Sequence, residues 1–118
     1  MTTIVTRPAG PTYALSVGAA QHAAVGVPAS SNDQNNYAEF LNVGATDICV
    51  VVAPYNSTAA TPALAFPVDG TPTVPNSFML PHGMTVPRTV QVPANGFCVS
   101  AIGSAAGPSI MYVTPVGN

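Results

Sequence analysis

Apolar residues return at every second position in several short windows of the chain. Tyr13, Leu15 and Val17 fall on one side of an extended backbone, as do Ile48, Val50 and Val52, and Leu64, Phe66 and Val68 repeat the spacing. Val86, Arg88, Val90 and Val92 form another alternating set, followed by Phe97, Val99 and Ala101 and then by Ile110 and Tyr112. A period of two predicts strands with one buried face, roughly eight of them. One window, Ala29 to Ala53, could start a short helix, because Ser31, Asn32 or Asp33 could cap a turn running through Tyr37, Phe40 and Leu41. Its continuation to Val52 is β-branched and apolar, which reads as strand.

Thirteen prolines from Pro8 to Pro115 remove backbone donors and leave few windows for a helix. Asp69-Gly70 and Asn95-Gly96 tolerate the positive φ of tight turns, and Ser30 to Asn36 is a polar loop without hydrophobic period. The chain therefore reads as all-β: a β-sandwich over residues 12–118, with a jelly roll as its commonest eight-strand form and a small barrel as the alternative. Residues 1–11, with Ile4 and Val5 beside Arg7 and Pro8, read as an extended N-terminal arm. Prolines and asparagines interrupt both long uncharged stretches, so neither is a membrane-spanning helix. No apolar leader precedes residue 10, so the expected place of assembly is a cytoplasm.

Charge changes this picture most. Arg7, Asp33, Glu39, Asp47, Asp69 and Arg88 make up 5% of the 118 residues, where about 25% is usual. Much of the surface must be neutral, hydrated by hydroxyls and amides or covered by other chains. A net charge of −2 and the absence of lysine argue against nucleic acid as a partner.

Candidate chemistry is sparse. G-x-S-x-G and the phosphate-cradling glycine motifs do not occur, which argues against nucleophilic and nucleotide-dependent catalysis. His22 and His82 are the candidate bases and read as surface or turn histidines. Cys49 and Cys98 have no local ligand pair; they read as buried small hydrophobes, with a disulfide left open. The four carboxylates could pair for glycoside hydrolysis but read as loop solvation, and Asn56-Ser57-Thr58 reads as a polar loop despite its glycosylation spelling. The expectation is a protein that is not an enzyme, with no catalytic residues, cofactor or metal.

The second half carries a recognisable order of segments: DICVVVA, a proline-rich link, FMLPHGMTVPRTVQVPANGFCVSAI, the small-residue turn GSAAG, and the ending IMYVTPVGN. This order resembles small tailed-bacteriophage virion proteins, especially capsid decoration or cement proteins, over about residues 42–118. The resemblance implies a sandwich or jelly roll on the capsid exterior, a dimer or trimer, that binds the major capsid protein where its subunits meet. It implies no catalytic residues. Residues suited to such contacts are Ile4, Val5 and Arg7 in the arm and Phe78, Met79 and Leu80 in a proline-bounded segment, the latter three reading equally well as core strand. A connector, tail or head-fibre component, or a receptor- or carbohydrate-binding module, are the other classes that fit.

Overall fold

The alternation condenses into strands in the computed structural model, which describes residues 7–8, 10–28, 37–93 and 95–117. Among these residues there are nine strands and no helix: β1 (Arg7–Pro8), β2 (Tyr13–Val17), β3 (Val25–Pro28), β4 (Tyr37–Asn42), β5 (Ile48–Pro54), β6 (Ser77–Leu80), β7 (Arg88–Gln91), β8 (Gly96–Gly103) and β9 (Ser109–Gly117). Every pairing is antiparallel. In the first sheet β9 lies between β4 and an edge that β2 and β1 share, with Tyr13–Val17 opposite Val113–Ser109 and Arg7–Pro8 opposite Gly117–Val116. β7 completes this sheet beyond β4, and the second sheet runs β3, β8, β5, β6. Each sheet thus has four strand positions, and the two pack as a β-sandwich. Among the described residues, pairing with β9 includes Arg7–Pro8, within the segment 1–11 expected to form the arm.

Leu15, Val17, Phe40, Met111 and Val113 of the first sheet meet Val27, Ile48, Val50, Phe97 and Val99 of the second in one core. Burying each such large side chain contributes about 1.5–3 kcal/mol. The phase of β9 differs from the expectation. Met111 and Val113 point inward, whereas Ile110 and Tyr112 sit on the outer face, opposite Ser16 and Ala14.

β5 is buried on both sides. Its inward residues join the main core, while Cys49 and Val51 lie under Leu64 and Phe66 in a second cluster with Val74, Met79 and Ile102. The connection between β5 and β6 therefore covers the outer face of the second sheet. Leu64, Phe66 and Val68 form no extended strand, since Pro62, Pro67 and Pro72 withhold ladder donors. Only the tight turn at Asp69-Gly70 pairs, Val68 with Thr71, with Gly70 at φ 77°. Gln21 fastens this cover. Its Nε2 donates to the Pro62 carbonyl and to Ser100 Oγ, both at 3.1 Å, and its Oε1 accepts the Leu64 N–H at 2.9 Å.

A buried polar hub closes one end of the sandwich. Asn42 Nδ2 donates to the carbonyls of Thr46 (2.9 Å) and Leu80 (3.2 Å), and its Oδ1 accepts the Gly44 N–H (3.1 Å) and the Ser109 hydroxyl (2.8 Å). One amide thus ties together the ends of β4, β6 and β9 and the turn into β5. The neighbouring Thr46 hydroxyl is buried without a partner. Thr46→Val removes that unmet group at nearly constant shape, so stability should stay unchanged or rise by up to about 1 kcal/mol in urea unfolding. A loss of that size would show that the hydroxyl is satisfied in solution.

Candidate interaction surfaces

The two outer faces of the sandwich differ. On the first sheet, strand register sets Ala14, Tyr112 and Leu41 side by side, and Thr114, Glu39 and Thr89 in a neighbouring row. Thr12 and Thr114 share a hydroxyl hydrogen bond of 2.8 Å. Glu39 is the one charged side chain that β2, β4, β7 and β9 direct to this face. Tyr112 is 38% exposed and Val43 46%, with Leu41 and Ile110 half-buried beside them. Among the described residues no connection crosses this face.

A second surface is the cleft between β6 and β7, the edge strands of the two sheets. It encloses about 480 Å³ and is lined by Val52, Phe78, Arg88, Val90, Gln91 and Val92, among others. The Arg88 guanidinium carbon lies 5.1 Å from the Phe78 ring centroid, and its NH1 donates to the Met79 carbonyl at 3.1 Å. Phe78 in turn meets Phe40 edge-on, centroids 5.0 Å apart at 75°, so the arginine is seated on a ring anchored in the core.

The sequence-derived contact residues scatter. Phe78 lines the cleft, Met79 packs under the β5–β6 connection, and Leu80 is fully buried in the main core, as the core-strand alternative had it. Arg7 is in β1, and Ile4 and Val5 lie outside the described residues. What the sequence reading missed was the outer face of the first sheet, because a wrong phase in β9 hid the adjacency of Tyr112 and Leu41.

The candidate catalytic groups do not converge. The His22 ring Nδ1 contacts the Ala23 carbonyl at 2.7 Å, outside any strand, and no three His, Cys, Asp or Glu residues cluster for a metal among the described residues. Asp69 sits in its turn, and Asp33 lies outside the described residues. Cys49 and Cys98 are free and buried. Cys49 pairs with Ile102, and Cys98 lies four residues away on the same strand, about 13 Å along it, beyond disulfide reach. Burial pushes the Cys49 thiol up, which keeps it protonated and unreactive. Asn56 spends its side chain on its own loop, donating to the Ala60 carbonyl (3.1 Å) and accepting from Ala60 N–H (2.9 Å) and Thr58 Oγ1 (2.8 Å).

Asp47 accepts two bonds from His82 on one oxygen, from the backbone N–H at 2.9 Å and the ring Nδ1 at 2.7 Å. The side-chain bond, then the backbone bond, holds its carboxyl below the ordinary value of 3.8. A lowered folded-state value means that this contribution is present above 3.8 and is lost as pH falls through the lowered value. Asp47→Asn should therefore melt below wild type at neutral pH, with the gap in Tm closing as the solution is acidified. A gap independent of pH would refute the linkage.

No family model, curated protein or solved structure matches the chain.

Proposed function

We propose that this chain is a virion structural protein, a capsid decoration protein that docks on the capsid exterior through the outer face of its first sheet and strengthens contacts between major capsid subunits. The observation that carries this reading is the register of the first sheet, which gathers Leu41, Ile110, Tyr112 and Val43 on its outer face with one carboxylate among them. The second sheet, by contrast, is covered by the chain's own connection, whose exposed large apolar residues are Tyr55 and Val68. Such a face gains free energy by leaving water and imposes little charge desolvation on a neighbour.

The strand order supports the finer fold reading. With β1 and β2 counted as the first position, one sheet reads first-eighth-third-sixth and the other second-seventh-fourth-fifth. This order fits a jelly roll, a fold used by viral shell proteins. The segment before β2 would act as the arm, with Ile4 and Val5 extending the contact, and a dimer or trimer of the chain would multiply it.

Quantitative mass spectrometry of purified particles tests the assignment. Copies in fixed lattice proportion to the shell protein are expected. A handful of copies per particle would move the chain to a connector, tail or fibre position, and absence from particles would end the virion reading. Leu41→Glu should weaken rebinding to stripped particles by at least about tenfold. Unchanged rebinding would remove this face from the contact.

A further inference from the structure

We propose that the cleft between β6 and β7 binds an extended peptide segment of a partner protein and holds one Asp or Glu side chain of that segment on Arg88. This site is separate from the outer face of the first sheet and does not depend on where the chain is mounted.

The core is least sealed at this cleft. Val52 and Val92 are 8% and 5% exposed, while every other buried member of the main core is at 0–1%, and both line the cleft. With Val90 and Phe78 they form an apolar floor on which a partner's side chain would be drawn out of water.

Arg88 supplies the specific contact. Its guanidinium lies over the Phe78 ring, one amino group is spent on the Met79 carbonyl, and the fork retains further donors. No carboxylate in the described residues is arranged to take them. Asp47 is held by His82, and Asp69 sits in an exposed turn. Glu39 points to the opposite face of the sheet, since it pairs with Thr89 while Arg88 pairs with Phe40. An exposed guanidinium held beside an apolar floor complements a carboxylate carried next to aliphatic groups.

The walls select the form of the ligand. β6 and β7 each pair on one side only among the described residues, so both present strand edges whose ladder groups an extended chain can meet. A small acid would occupy the floor and leave those edges unmet. The net charge of −2 gives no long-range attraction for an acidic segment, so recognition depends on contact at Arg88.

The test is selection of a displayed library of random nonapeptides on the folded chain, with the best binder then made with a fluorescent label. Selected peptides are expected to carry one Asp or Glu flanked by apolar residues. Arg88→Met, which keeps an unbranched stem, and exchange of the peptide's acid for its amide should each weaken binding by about tenfold or more. Amide NMR shifts should gather at residues 77–79 and 88–91. Failure to select any peptide, binding that survives Arg88→Met, or shifts centred elsewhere would overturn the proposal. Arg88-dependent binding of hexanoate with no peptide selected would also overturn it, assigning the cleft to a small acid.

Discussion

Asn42→Leu is expected to lower the free energy of unfolding by about 4 kcal/mol in urea titration. Leucine fills much the same volume but offers nothing to the Gly44 N–H or to the Thr46 and Leu80 carbonyls that the amide meets. Ser109 partly escapes, since its hydroxyl also lies 3.3 Å from the Thr46 carbonyl. The remaining groups stay buried without partners, and each costs about 1–3 kcal/mol. Asn42→Asp should be comparably damaging, because an oxygen would then face both carbonyls. A loss under about 1 kcal/mol for Asn42→Leu would mean that water enters this end of the sandwich and takes over the bonds.

Gly44→Ala is expected to cost about 3 kcal/mol or more. The reason is space: an added Cβ would stand 1.8 Å from Ser109 Oγ and 2.7 Å from Ser109 Cα. The first clash could be relieved by a smaller side chain, but the second is with backbone. Ser109→Gly in the same molecule should therefore recover less than half of the loss. Gly18, with nothing within 4 Å of the corresponding position, is the control and should accept alanine without loss. Equal tolerance at both positions would show that the turn from β4 into β5 packs less closely against β9 than described.

The particular strands show what hydrophobic periodicity can and cannot settle. Leu15 and Val17, and Phe97 and Val99, stand on the core side as their spacing predicts, because polar or small neighbours leave one sensible phase, whereas β5 is apolar in both phases and buried on both sides, with Val50 and Val52 in the main core. In β9 both phases are apolar, Ile110 and Tyr112 against Met111 and Val113, so only the register with β2 and β4 decides. Leu64 and Phe66 do pack side by side on one sheet face, yet the prolines around them turn the expected strand into an irregular cover. β3 has two valines separated by a glycine and ended by a proline, too little pattern to register. Asn42 was invisible for a different reason: a polar residue reads as surface until its partners in the adjoining turn and in two distant segments are known. Arg88 shares a sequence phase with Val90 and Val92, but that its neighbour would be an open cleft follows only from both sheets ending there.

The cover that Gln21 fastens over the second sheet makes the molecule directional. A sandwich with two bare faces can stack without limit, each copy offering a fresh surface to the next. Here one side is finished within the chain itself, so face-to-face association of two copies uses up the available surface and ends in a closed pair. Stacking without limit is thereby disfavoured in that direction.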